Sequence, residues 1–281
     1  MALRALFFGT SEFAVPSLRV AAGRTDLRGV VTQPDRPSGR GQRLQSTPVK
    51  AAALELGLRV YEPSDLRAFA RGLEGETFDI FALASYGRIL PQELLDLPRL
   101  GALNVHPSLL PRYRGATPIQ TALRNGQTQT GVSIMVMDAG MDTGAIALQE
   151  TVAIAPDDDY GTLHDRLAEI GARMLGDVLA RAESGAIATT PQAGDASITR
   201  PIAKDDLVLD LGGDGRAVVD AIRAYAPRPA ARAMIDGESV KLLRAHVGAD
   251  GKAVVDELIA PNRGRMSMEA YERSRAARSG A

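Results

Sequence analysis

The stretch Gly101-Ala102-Leu103-Asn104-Val105-His106-Pro107-Ser108-Leu109-Leu110-Pro111 decides the reading of the fold. Its apolar opening is that of a buried strand, and Pro107 stops it, because proline lacks the amide a ladder needs. Side chains two apart on a strand point the same way. The Asn104 amide and the His106 imidazole therefore project together from the strand's carboxyl end. Working outward, strand and helix signals alternate up to about residue 185. Leu3 to Phe8, Leu27 to Thr32, Arg59 to Tyr61 and Ile80 to Ser85 read as strands before this one. Val132 to Asp138 and Ala145 to Ala153 read as strands after it, placed to pair as neighbours across an Asp- and Gly-rich loop. Pro16 to Ala22, Pro48 to Leu56 and Pro118 to Arg124 read as helices, the last with Pro in its first turn and Gly126 past its end. Asp157-Asp158-Asp159 precedes a longer helix, in which Leu163, Leu167, Ile170, Met174, Val178 and Leu179 recur at helical spacing. Three acids there suit the positive end of the helix rather than a metal. This alternation predicts an α/β fold: a Rossmann-like, mainly parallel sheet with helices on both faces. Sites in such sheets lie beyond the carboxyl ends of the strands, where Asn104 and His106 fall.

The second informative segment is Asp138-Ala139-Gly140-Met141-Asp142-Thr143-Gly144. A carboxylate on this glycine-flanked loop completes an Asn/His/Asp set. The Asn104 amide donates to a carbonyl oxygen gaining negative charge. His106 adds a second donor or acts as general acid or base. Asp142 orients the imidazole and holds its tautomer. No Ser, Thr or Cys stands where a covalent nucleophile is required. The set suits direct attack by an outside amine or water on an acyl group. The competing reading is a polar strand end with a His hydrogen-bonded in a turn, and for one His alone that reading is favoured. The other two His, His164 on a helix and His246 at a strand end, are read as structural.

With 281 residues, 45% of them hydrophobic, the chain holds one or two domains and a real core. A net charge of -1 gives no global pull toward nucleic acid or membrane, so any nucleic-acid contact uses local patches. The absence of Cys excludes disulfides and thiolate chemistry. No apolar run reaches the roughly 18 residues of a membrane span, and the short apolar start is no signal peptide; a cytoplasmic protein is expected.

Residues 190–205 carry Pro191, Gly194 and Pro201 with little periodicity and read as a linker. The domain expectation is thus 1–189, a linker at 190–205, and a small β-rich domain at 206–281. In the last, Leu207 to Leu211, Ala231 to Ile235, Val240 to His246 and Ala253 to Ile259 read as strands and Ala217 to Ala224 as a helix. Two basic segments stand out. Arg36, Arg40 and Arg43 lie in the Pro- and Gly-rich stretch 33–43, read as an irregular loop after the second strand. The tail carries Arg263, Arg265, Arg273, Arg275 and Arg278. Charge alone makes both segments solvated surfaces; a basic loop beside the active face also suits phosphates.

Asn104-Val105-His106-Pro107-Ser108-Leu109-Leu110-Pro111 and Asp138 to Gly144 resemble the two core motifs of the formyltransferase superfamily that uses 10-formyltetrahydrofolate. Phe8 to Ala14, the stretch Thr32 to Gly41 and the segment Arg112 to Gln120 extend the resemblance, which runs from residue 3 to about 245. The inserted stretch and the second domain resemble the tRNA-formylating branch. The resemblance implies that the amine of initiator Met-tRNA attacks the formyl carbon of 10-formyltetrahydrofolate, with no metal. It implies that Asn104 and His106 stabilise the oxyanion and that His106 with Asp142 manages protons. By the same resemblance Ser108, Leu109, Leu110 and Pro111 line the folate site, together with Tyr86 and Leu90 of the segment that cups the pterin. Arg36, Arg40 and Arg43 contact tRNA, Arg40 foremost, as does Lys204, and the protein is a monomer. The small domain resembles a shortened OB-fold barrel, with too few residues between Val247 and Ala260 for all the strands the resemblance implies.

Rival readings stay open on the catalytic set alone. A formyltransferase acting on a small amine, such as a glycinamide ribotide or an amino sugar, needs no basic inserted loop. A hydrolase releases formate with water as the acceptor. A tRNA-binding protein without catalysis has no use for Asn104, His106 and Asp142 together. A dinucleotide-dependent dehydrogenase lacks its Gly-x-Gly-x-x-Gly after the first strand.

Overall fold

The computed structural model describes residues 2–38 and 43–279. Along the chain the elements are β1 (Arg4–Gly9), α1 (Val15–Arg24), β2 (Asp26–Val31), β3 (Arg36–Ser38), β4 (Arg43–Gln45), α2 (Pro48–Glu55), β5 (Val60–Tyr61) and α3 (Leu66–Gly72). Next come β6 (Ile80–Ala84), α4 (Gln92–Leu95), β7 (Ala102–His106), β8 (Arg114–Gly115), α5 (Pro118–Arg124), β9 (Gln129–Val136), β10 (Ile146–Ala153) and α6 (Tyr160–Ala182). Last are β11 (Ile198–Thr199), α7 (Gly215–Tyr225), β12 (Ala231–Ile235), β13 (Glu238–Val247), β14 (Ala253–Ala260), β15 (Gly264–Ser267) and α8 (Met268–Ser279).

The chain forms two compact units, one of residues 1–116, 131–152 and 165–198, the other of residues 117–130, 153–164 and 199–281. The first is built on a seven-stranded sheet in the order β10-β9-β7-β6-β1-β2-β5. Its strands β5, β2, β1, β6 and β7 run parallel, and β9 runs antiparallel to β7. One face carries Leu6, Phe8, Val31, Phe81, Leu83 and Ala102, packed against Leu66, Ala70 and Leu73 of α3 and its end and Leu94 of α4. On the other face α6 lies so close that Gly171 rests on Val105 and Val132, and a Cβ at 171 would meet Val105. Helices thus cover both faces, as the alternation predicts, and the parallel strands are apolar on both sides. Local signals start the helices: Thr47 caps α2 through the Lys50 amide at 3.1 Å, and Asp65 caps α3 through the Arg67 and Ala68 amides at 2.8 and 3.2 Å.

The second unit holds a four-stranded antiparallel sheet, β12-β13-β14-β15. Asp236 and Gly237, both at positive φ, form the tight turn between β12 and β13. Val218 and Ile222 of α7 and Tyr271 of α8 pack with Val240, Leu242, Val255 and Leu258. The acidic start of α6 resolves into distinct roles. Asp159 exchanges hydrogen bonds with Thr162 (2.9 and 3.0 Å) as a helix cap. Asp158 is buried and accepts the Ala155 amide at 2.6 Å.

Three expectations change. The stretch 33–43 is not wholly irregular: β3 and β4 pair antiparallel, Arg36 opposite Gln45 and Ser38 opposite Arg43. Its Pro and Gly read as a loop, but three-residue strands carry too little pattern to be seen beneath them. Leu207 to Leu211 is not a strand. A one-turn 3-10 helix occupies Asp205–Leu207, and only Val208 bridges Arg232, because Asp210 turns back on the Gly212 amide at 2.9 Å. The arginine-rich tail is not a bare solvated segment. It includes β15 and α8, with Arg263 paired to Glu238 and Arg265 to Glu257.

Candidate active site

Asn104 and His106 leave the same face of β7, as their spacing requires, and both reach Asp142. The Asn104 Nδ2 donates to Asp142 Oδ1 at 3.4 Å, and His106 Nδ1 lies 3.6 Å from Asp142 Oδ2. The Gly115 amide donates to Asp142 Oδ2 at 2.8 Å. His106 Nε2 lies 2.9 Å from the Tyr113 carbonyl oxygen. A carbonyl only accepts, so Nε2 carries a hydrogen and Nδ1 is the nitrogen that faces the carboxylate. His106 is 4% exposed, so its orientation is fixed on every side.

The loop that carries Asp142 leaves β9 at the level of Ala102, whose carbonyl accepts the Met137 amide at 2.7 Å. It must fold back along the sheet to reach His106, and its sequence does this. Asp138 Oδ1 takes the Gly140 amide at 3.0 Å and the Thr143 hydroxyl at 2.6 Å. A Cβ at Gly140 would strike Thr143, and one at Gly144 would strike the Val136 carbonyl. Asp142 itself is left-handed, φ 53°, a conformation Asp and Asn tolerate better than other side chains.

Ser108, Leu110 and Pro111 are buried and Leu109 is partly buried. The Ser133 hydroxyl donates to the Ser108 carbonyl at 2.7 Å and accepts the Leu110 amide at 3.2 Å. Gln149 donates to both the Ser133 hydroxyl (2.8 Å) and the Leu110 carbonyl (3.1 Å). The Ser108 hydroxyl is spent on the Arg112 carbonyl at 2.6 Å.

Tyr86 and Leu90 belong to the apolar cluster beside β6, and Ile89 between them is 82% exposed. Burial pushes the Tyr86 phenol up, against the opposing charge of Arg88. The loop hangs from the neighbouring strand ends. The Tyr86 carbonyl accepts from Gln33 Nε2 at 2.7 Å and from the Thr10 hydroxyl at 2.9 Å. Gly87 is left-handed at φ 75°, with Gln33 against it.

Arg40 lies outside the described residues, as do the side chains of Arg36 and Arg43. Lys50, in α2 after β4, pairs with Asp35 at 2.9 Å and Glu62 at 2.8 Å. Both carboxylates hold the Lys50 ammonium above its usual range. In the second unit Lys204 is exposed just before the turn at Asp205–Leu207. That turn is fixed by Asp206, gripped by Arg200 through two contacts of 2.6 Å and by the Ala203 amide at 2.7 Å. These partners hold Asp206 well down, to about 2.

Sequence reasoning missed the residues that shape the site: Ser133 and Gln149 beneath the Ser108 segment, the Tyr113 carbonyl, the Gly115 amide, and Gln192 and Ser197. Gln192 donates to the Asp142 and Gly144 carbonyls, both at 2.8 Å. No spacing announces partners this far apart in the chain. Among the described residues no group of three or more His, Asp or Glu is placed to hold a metal, and no helix is long and apolar enough to cross a membrane.

Residues 4–179 match the formyl transferase family, and the chain belongs to it. It is 44% identical over 258 residues to a methionyl-tRNA formyltransferase of Burkholderia multivorans, covering 86% of this chain and 78% of that one. A methionyl-tRNA formyltransferase of Sorangium cellulosum is 43% identical over 251 residues, covering 88% and 81%. Within the family the chain is thus one of the methionyl-tRNA formyltransferases. Solved structures share the fold. An N-formyltransferase from Helicobacter canadensis in complex with folinic acid and dTDP-3-aminofucose superposes with a TM-score of 0.68 at 18% identity, covering 95% of this chain and 100% of that one. HypX from Aquifex aeolicus in complex with tetrahydrofolic acid gives 0.65 at 15% identity, and this chain spans 47% of its length.

Proposed function

We propose that this chain transfers the formyl group of 10-formyltetrahydrofolate to the methionine amine of initiator Met-tRNA. The observation that carries the chemistry is the convergence of Asn104, His106 and the Gly115 amide on one carboxylate, Asp142, at a strand's carboxyl end. The amine nitrogen attacks the formyl carbon, and negative charge gathers on the formyl oxygen. Asn104 meets that charge as a donor, and His106 meets it through Nδ1, the ring nitrogen not engaged by the Tyr113 carbonyl. The bond from the formyl carbon to the folate nitrogen then breaks. The proton shed by the amine passes, by way of His106 held by Asp142, to the departing folate nitrogen. No covalent enzyme intermediate is formed.

Tyr86 and Leu90 hold the loop that cups the pterin, and the backbone of Ser108, Leu109, Leu110 and Pro111 forms the facing wall. Arg36, Arg40 and Arg43 of the stretch 33–43 and Lys204 take phosphates of the tRNA, contacts that weaken with salt. Residues 1–189 form the catalytic domain, 190–205 the linker and 206–281 the small domain, in a cytoplasmic monomer.

The test is formyl transfer from 10-formyltetrahydrofolate to charged initiator Met-tRNA, beside a tRNA-free control for formate. Transfer only with tRNA is expected. Formate release without tRNA overturns the reading in favour of a hydrolase, and transfer to a small amine but not to Met-tRNA overturns it in favour of a small-amine enzyme.

A further inference from the structure

The stretch 190–199, read from sequence as plain linker, is fastened to both loops that hold the His106–Asp142 pair. Gln192 is the stronger fastening. Its Nε2 donates to the carbonyls of Asp142 and Gly144, both at 2.8 Å, and its Oε1 accepts from Arg114 Nε at 3.1 Å and Nη2 at 2.6 Å. These contacts fill the hydrogen-bonding positions of a primary amide. One side chain thereby joins the Asp142 loop to the loop that supplies the Gly115 amide. Ser197 fastens the other end. Its hydroxyl accepts the Tyr113 amide at 2.8 Å. Its own amide donates to the Pro111 carbonyl at 3.2 Å, and its carbonyl accepts the Arg114 amide at 2.9 Å.

The fastened residues share an uncommon property. Tyr113 and Asp142 are both left-handed, φ 59° and 53°. Each is held in a conformation that side-chain-bearing residues rarely choose, which persists only where the surroundings over-determine it. Tyr113 must be left in that state to aim its carbonyl at His106 Nε2, and Asp142 to aim its carboxylate at Nδ1. A shift of about 1 Å in either would spoil the alignment of donor and acceptor, a misplacement able to cost about 100-fold in rate.

We propose that Gln192 and Ser197 are positioning residues that set the geometry of the His106–Asp142 pair, touching neither substrate. This rests on the reading of His106 and Asp142 as the working pair.

Gln192→Met keeps the shape of the side chain and removes its hydrogen bonds. In the full-length protein it is expected to lower kcat for Met-tRNA formylation about 10- to 100-fold, with KM for the folate and for Met-tRNA little changed. In an Asp142→Asn background the same change should cost almost nothing further, since the group it aims is already disabled. Ser197→Ala should lower kcat and Ser197→Thr, which keeps the hydroxyl, should restore it. Gln192→Glu keeps the Arg114 partner and serves if Gln192→Met fails to fold; it too should lose turnover. An undiminished cost of Gln192→Met in the Asp142→Asn background, or an effect confined to KM, overturns the positioning role while leaving the active-site reading intact. Full turnover by Asp142→Asn alone overturns both.

Discussion

His106 and Asp142 face each other with 3.6 Å between Nδ1 and Oδ2, while the other ring nitrogen of His106 is already engaged by the Tyr113 carbonyl. The ring therefore has one side committed to the scaffold and one side turned to the carboxylate. In the proposed mechanism, proton movement runs along that second side. His106→Ala is expected to lower turnover roughly 100- to 10,000-fold, the usual worth of a positioned acid or base, with Met-tRNA affinity nearly unchanged. Single-turnover formylation with a filter-binding control reads both; unchanged turnover removes His106 from the mechanism.

Asp142→Asn separates charge from shape. Asn tolerates the left-handed backbone at φ 53° and keeps a carbonyl oxygen for the Gly115 amide. The variant should fold with wild-type thermal stability and still lose turnover on the scale of the His106 change. If it keeps its rate, the carboxylate charge is not used in the reaction.

Gly144→Ala tests the fold-back of the Asp142 loop. The added methyl would run into the Val136 carbonyl, and backbone cannot swing aside as a flexible side chain can. A loss of about 1–3 kcal/mol is expected from overpacking of this kind, together with lost activity. Calorimetry and formylation assays check it. An unchanged melting temperature would mean that the loop is not held against β9 as described.

Arg40→Ala should raise KM for Met-tRNA and leave folate binding intact. Loss of one phosphate contact should also reduce the salt slope of tRNA binding by about 1. Normal tRNA kinetics in this variant would remove the stretch 33–43 from the tRNA interface.

Asp206 gives a prediction in pH. Its folded value, about 2, lies below the ordinary aspartate value of 3.8. A depressed carboxyl stabilises the fold above the unfolded value and loses that contribution as pH falls through the folded one. Asp206→Asn should therefore melt lower than wild type at neutral pH. The gap should shrink as pH falls from about 4 toward about 2. Thermal melts across that range decide it; a gap that does not narrow would put the stabilisation elsewhere than in the Arg200–Asp206 pair.

What the sequence makes legible follows from the range of the forces involved. The period of β7 and its stop at Pro107 are local, so Asn104 and His106 could be placed on one strand end from spacing alone. The apolar rhythm of α6 is local too: Leu163, Leu167, Met174, Val178 and Leu179 are all buried. The β3–β4 pair and α8 were not legible, the first for its brevity, the second because its Arg and Ser content hides a buried anchor, Tyr271. Gln192 and Ser197 were hidden for a different reason. Their partners lie 48 to 86 residues away, and a polar residue bonding to distant backbone leaves no periodic trace. Ser108 to Pro111 could be quoted as a segment, but the Ser133 and Gln149 side chains that hold it from beneath could not.

The left-handed backbone at Asp142 has a genetic consequence. The residues that hold this conformation most comfortably beside Asp are Asn and Gly, and both are a single base away from either aspartate codon. Of the two, Asn keeps an oxygen for the Gly115 amide, so under the proposed mechanism it is the change expected to spare the loop while removing the charge that the reaction uses. A cell that acquires it is then expected to make a folded but inactive protein, one that a screen scoring abundance alone would pass as healthy.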